Sequence, residues 1–151
     1  MKSILCLGLA LLCASPTAIA QQDITKIEIT CNDQMTFNTK AIEVTVGDKV
    51  ALTLKNVGKI PLKTMAHNLV ILMPGTQIPV FASQCAEERN GYLPGDAETK
   101  KLIFKHTKRL GGGESDTIYF IPKEPGKYPF VCTTPGHFAI MQGVMTVKPK
   151  E

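Results

Sequence analysis

The chain has 151 residues, with 17 Lys+Arg against 13 Asp+Glu and a formal net charge of +4. That length points to one small domain, long enough to bury a core without staples. The excess of positive charge is slight and interspersed, with no basic stripe of the kind that binds nucleic acid.

The N-terminus reads as a leader. Met1-Lys2-Ser3 runs into an apolar stretch at residues 4–12, and Ala18-Ile19-Ala20 follows. A basic start, a short apolar run and an A-x-A site make a secretory signal peptide, residues 1–20. The apolar run is shorter than the roughly 20 residues a membrane span requires. Cys6 and Cys13 each follow a leucine rather than a small residue, so no lipid anchor is expected. Cleavage after Ala20 leaves a domain of residues 21–151, exported to the periplasm. It keeps Cys31, Cys85 and Cys132. An odd number of thiols in an oxidising compartment gives one of them another task, and Cys132 is the candidate. Whether Cys31 and Cys85 then pair is open, because a bridge requires Cα atoms within roughly 6 Å.

Strand signals dominate the rest. Residues 24–30 are β-branched and roughly alternating. Ile42, Val44 and Val46 alternate with polar neighbours, and Gly47-Asp48 makes a turn. Val50, Leu52 and Leu54 repeat with a period of two. Residues 67–73 are nearly all apolar, as in a strand buried on both faces. Turn residues punctuate 74–96, where residues 80–89 predict a short helix in a flap. Further strands are expected at 100–108, 117–121, 127–132 and 143–147, with Gly111-Gly112-Gly113 as a hairpin-type connection. The glycine run follows no strand-to-helix switch and precedes no Lys-Ser/Thr, so it is not a phosphate cradle. About eight short strands and few helical segments predict an all-β sandwich.

Residues 128–145 carry the chemistry. Cys132, His137 and Met141 stand in a Cys-x4-His-x3-Met spacing around Pro135-Gly136. One tight loop folds a thiol, an imidazole and a thioether onto one point. A blue-copper site uses two His and a Cys with a weak axial Met, so one His must come from elsewhere. His106 sits in a charged strand end and reads as a surface residue. His67 opens the apolar run 68–72, where a strand end holds it rigidly, and it is the expected fourth ligand.

The chain resembles the azurins, blue-copper proteins of the cupredoxin fold. The matching segments are Asn32-Asp33-Gln34-Met35, Phe37-Asn38-Thr39, Met65-x-His67-Asn68, His106-Thr107-Lys108-x-x-Gly111-x-Gly113-Glu114 and the ligand loop. The resemblance implies a Greek-key β-sandwich with one type 1 copper, held by His67, Cys132, His137 and Met141. It implies a weak axial contact from the Ala66 carbonyl, where azurins carry Gly. Asn68 and Thr133 match the pair that ties the two ligand segments, and the Asn32 carbonyl matches the acceptor for the far nitrogen of His67. Asn56 stands where some azurins have a pH-sensing His. Thr134 replaces the usual Phe beside the thiolate.

The implied activity is electron transport by Cu(I)/Cu(II) cycling rather than catalysis, since the protein supplies every strong ligand and leaves no open position for substrate. The implied partners are redox proteins such as c-type cytochromes or a periplasmic reductase, met by a monomer with no membrane anchor. A periplasmic carrier that holds copper without exchanging electrons would use the same residues.

Overall fold

The computed structural model describes residues 23–86, 88 and 92–151, so the expected leader lies outside the described residues. The alternating segments form β1 (Ile24–Cys31), β2 (Ala41–Thr45), β3 (Lys49–Asn56), β4 (Val70–Leu72), β5 (Ile103–His106), β6 (Ser115–Phe120), β7 (Gly126–Val131) and β8 (Gln142–Lys148). Helices α1 (Ile78–Ala86) and α2 (Ala97–Lys100) lie between β4 and β5. One sheet has the order β1-β3-β6, the other β2-β8-β7-β4-β5. The pairs β1/β3 and β2/β8 are parallel. Parallel neighbours cannot be joined by a hairpin, so the chain crosses from one sheet to the other and back. The all-β sandwich is the architecture expected from the alternation. No helix among the described residues is long and apolar enough to cross a membrane.

The core is where the inward positions of the two sheets meet. Ile29, Leu52 and Leu54 from one sheet share a buried cluster with Ile71, Phe130, Met145 and Val147 from the other. Each such side chain contributes roughly 1.5–3 kcal/mol by leaving water. Phe37 meets Phe130 edge-on at 5.8 Å between ring centroids. A second cluster joins Phe81 and Cys85 of α1 to Val70, Leu72 and Val131, with Phe138 packed against it.

The structure departs from the alternation in three places. The helix begins at Ile78, ahead of the expected residue 80. Pro79 sits in its first turn, where a missing N–H costs nothing. The expected end at residue 89 falls outside the described residues. Residues 100–102 are not strand: Asp96 caps α2 by accepting from the Thr99 N–H at 2.8 Å, and Lys101 and Leu102 continue that turn before β5 starts. The glycine run is not a hairpin, because β5 and β6 belong to different sheets. It is a crossing whose glycines allow close approach. A Cβ at Gly112 would stand 2.6 Å from the Lys59 carbonyl carbon, and one at Gly111 2.5 Å from the Leu62 nitrogen.

The cysteines settle a pairing that the sequence leaves open. Cys31, Cys85 and Cys132 are all free and buried, so no Cys31–Cys85 disulfide forms. Cys31 belongs to the main core and Cys85 to the α1 cluster, on different sets of neighbours. Burial, with a smaller push from Glu88, raises the Cys85 thiol from 9.0 to about 12. Burial likewise raises Cys31 to about 12. A group whose folded pKa is raised stabilises the fold fully below its unfolded pKa and stops doing so as pH climbs to the folded one. Stability is therefore expected to fall between about pH 9 and 12. In urea titrations at pH 8 and 11, Cys85→Ala should lower stability at both values and shrink the difference between them. An undiminished difference would exclude Cys85 as a source.

Candidate metal centre

At one end of the sandwich, loops from four parts of the chain interlock. The Asn32 side chain accepts from the Gln34 N–H at 3.0 Å and from the Thr36 hydroxyl at 2.9 Å, which shapes the loop after β1. The Asp33 carboxylate accepts from the Lys59 N–H at 2.9 Å, binding that loop to residues 56–61. Gly112 N–H donates to the Ile60 carbonyl at 2.8 Å, and Gly113 N–H to the Asn56 carbonyl at 2.9 Å. Asn56, 1% exposed, donates through Nδ2 to the Leu110 carbonyl. Leu110 in turn forms a two-way bridge with His67, at 2.8 and 3.0 Å. His67 is thus held by a bridge outside β4 proper, at the end of a chain of loop contacts.

The second ligand segment leaves β7 at Val131 and closes on itself. Cys132 N–H donates to the Met141 carbonyl at 2.9 Å, and Met141 N–H to the His137 carbonyl at 2.8 Å. Between them His137 N–H reaches the Thr134 carbonyl at 3.0 Å. Gly136 makes this turn in the left-handed region, with φ +82°. The two segments are then clamped. Asn68 Nδ2 donates to Thr133 Oγ1 and Thr133 N–H donates to Asn68 Oδ1, each at 2.8 Å and buried.

These constraints converge the donor atoms. One ligand atom each from His67, Cys132 and His137 lies within 4.8 Å of the others, all three residues buried. His67 Nδ1 and His137 Nδ1 are 3.2 Å apart, and His137 Nδ1 is 3.7 Å from Cys132 Sγ. Such separations suit donors that share one first-row ion bonded at roughly 2.0–2.3 Å. Met141 is fully buried in the same cluster as Cys132. His106 is exposed, its Nδ1 3.0 Å from the Thr107 carbonyl, and stands apart from the site.

Burial keeps the two imidazoles neutral, as metal ligands must be. Burial, and then the neighbouring His137, lower the His67 imidazolium to about 4, so the ring is neutral and its lone pair free at pH 7. Burial also lowers His137. Burial raises the Cys132 thiol; the N–H groups of Asn68 and Thr134, the Thr134 hydroxyl and the Arg109 charge pull it back. A soft cation would complete that ionisation. The Asn32 carbonyl favours the protonated His67 ring, although buried Nε2 makes no full hydrogen bond. Two imidazoles and a thiolate suit Cu(I) and Cu(II) together.

One contact was invisible in the spacing. Thr134 Oγ1 donates to the Ala66 carbonyl at 2.8 Å, joining two residues 68 positions apart. Asn68→Ala would remove both bonds of the Asn68–Thr133 clamp. Urea unfolding of the metal-free protein should show a loss of about 2–4 kcal/mol, since buried partners are left unpaired. Copper affinity should drop by roughly 10–100-fold. An unchanged unfolding midpoint would refute the clamp.

A profile of copper-binding proteins of the plastocyanin/azurin family matches residues 24–148. The chain is 37% identical over 129 residues to azurin of Pseudomonas fluorescens biotype C, covering 82% of this chain and 98% of that one. It is 39% identical over 120 residues to outer membrane protein H.8 of Neisseria gonorrhoeae, covering 77% of this chain and 63% of that protein. Among solved structures it is similar to dithionite-reduced auracyanin from Roseiflexus castenholzii, with a TM-score of 0.72 and 35% identity, covering 83% of this chain and 98% of that one.

Proposed function

The chain belongs to the copper-binding plastocyanin/azurin family, and from that membership we propose that it is a blue, type 1 copper carrier of single electrons in the periplasm. Its ligands would be His67, Cys132, His137 and Met141, with the Ala66 carbonyl beside them. The convergence of the two imidazoles and the thiol within 4.8 Å carries this reading. Bound copper would supply a one-electron couple between Cu(II) and Cu(I).

The chain's own residues do the rest. The closed 132–141 loop and the Asn68–Thr133 clamp hold the donors in one compromise arrangement, so little has to move when an electron arrives or leaves. Pro135 lacks an N–H and so stiffens the loop without adding a donor to the sulfur. His137, 7% exposed, lies nearest to solvent among the three converging ligands. Pro135, Gly136, Ala139 and Ile140 around it are exposed, and Leu62 is exposed on the neighbouring loop. Such a weakly charged apolar rim suits a brief encounter with a c-type cytochrome or a periplasmic reductase. Met35 and Met65 are half-buried, and Met35 packs onto the core.

The test is to add Cu(II) to the purified domain. Intense blue colour from thiolate-to-copper charge transfer should appear and vanish on adding a reductant. A colourless complex would overturn the reading. Metal that stays bound while a c-type cytochrome reduces and reoxidises the centre separates an electron carrier from a copper carrier without a redox role.

A further inference from the structure

The residues on both sides of His67 are bonded to the two residues that follow Cys132. Asn68 pairs with Thr133, and the Ala66 carbonyl accepts from the Thr134 hydroxyl at 2.8 Å. The first pair is a buried, reciprocal clamp. The second is a single bond from a half-buried residue to a carbonyl on a residue 2% exposed. We propose that Thr134 is a tuning and positioning residue: its hydroxyl ties down the Ala66 carbonyl and thereby raises the reduction potential of the centre. This rests on the copper reading given above.

The physical argument starts from the carbonyl. A buried carbonyl needs a partner, and Ala66 O has the Thr134 hydroxyl. Ala66 is bonded directly to His67, so an unpartnered oxygen there is left beside a cation site. Oxygen donors are hard and favour Cu(II) over Cu(I), whereas thiolate and thioether favour Cu(I). Holding the oxygen in a hydrogen bond therefore withholds a contact that would stabilise the oxidised state. A hydroxyl has one proton to donate, and here it goes to the Ala66 carbonyl. Loss of the hydroxyl frees that oxygen and moves the potential down.

Thr134→Val keeps the shape and removes the hydroxyl; Thr134→Ala does the same without the β-branch, and is read if the valine variant does not fold. Thr134→Ser keeps the donor. Redox titration of the copper-loaded domains should give both hydroxyl-free variants a lower potential. The expected size is a tenfold rise in Cu(II)-over-Cu(I) preference, or about 59 mV for one electron. The serine variant should stay at the wild-type value. In the copper-free wild type, proton NMR should show the Thr134 hydroxyl proton protected from exchange. A merely structural role would lower the melting temperature of copper-free Thr134→Val and leave its potential at the wild-type value, and that result overturns the proposal. So does a freely exchanging hydroxyl. If the wild type itself shows no blue colour, all four proteins will be colourless alike, and it is the copper reading that has failed.

Discussion

Cys132→Ser should abolish the blue colour on Cu(II) titration while leaving a folded domain. Cys132 is the one sulfur that can be an anion here, and the N–H groups of Asn68 and Thr134 are already aimed to favour that anion. A serine hydroxyl has nearly the same shape but stays protonated at pH 7 and is a hard donor, so both the charge-transfer band and most of the affinity for Cu(I) go with the sulfur. The drop in affinity should exceed the roughly 10–100-fold typical of losing a supporting residue. The cost to the fold is smaller, about 1–3 kcal/mol, from a buried hydroxyl with imperfect partners. Absorbance, bound-copper analysis and urea unfolding on the same samples separate these effects. His106→Ala is the control: His106 is exposed and outside the site, so colour, affinity and stability should all match the wild type. A blue Cys132→Ser protein would sink the assignment of the thiolate.

Gly112→Ala should be among the most damaging single methyl additions in the chain. The new Cβ would lie 2.6 Å from the Lys59 carbonyl carbon and 2.7 Å from the Gly58 carbonyl oxygen. Both are backbone atoms, so no flexible side chain can yield, and the loops at 58–60 and 110–113 must part. Overpacking of this kind costs typically 1–3 kcal/mol, and more where only the backbone can move, so a loss of about 3 kcal/mol or more is expected by urea unfolding. The damage should also reach the metal. Gly112 N–H holds the Ile60 carbonyl, and Leu110, two residues earlier, forms the bridge that seats His67. Copper affinity should therefore fall even though no ligand has changed. Gly113→Ala is the comparison. Its φ is +81° and a Cβ there meets nothing within 4 Å, so it pays only the conformational penalty of roughly 1–2 kcal/mol. Equal effects for the two variants would contradict the close-approach argument.

The sandwich and the three converging donors, His67, Cys132 and His137, were legible in the residues. Period-two alternation at Val50, Leu52 and Leu54 identifies β3 because a half-buried strand must alternate. The apolar stretch at Leu69 to Leu72 identifies β4 as buried on both faces, and all three of its residues are. Where the structure departs from the periodicity, local chemistry outweighs it. Asp96 is a good N-cap, and the helical turn it starts keeps residues 100–102 out of the strand. Pro79 looks like turn punctuation in the sequence, but a first helical turn accepts it.

The sequence by itself determined the local part of the centre. Cys132 and His137 come together because ten consecutive residues with a Pro-Gly turn close one loop, from Cys132 to Met141, and loop closure at that range depends on neighbours along the chain. Composition and alternation likewise determined that two apolar sheet faces must cover each other. The tertiary structure alone decided the contacts between distant segments. It set the crossing of Gly111–Gly113 between sheets, the seating of His67 on Leu110, the separation of Cys31 from Cys85, and the bond between Thr134 and Ala66. Residue periodicity states which face of a strand is buried, but not which strand lies beside it or in what register. Those depend on the sheet order β2-β8-β7-β4-β5, whose β4–β7 pairing sets Val70 against Val131 and so brings the segments that carry His67 and Cys132 side by side.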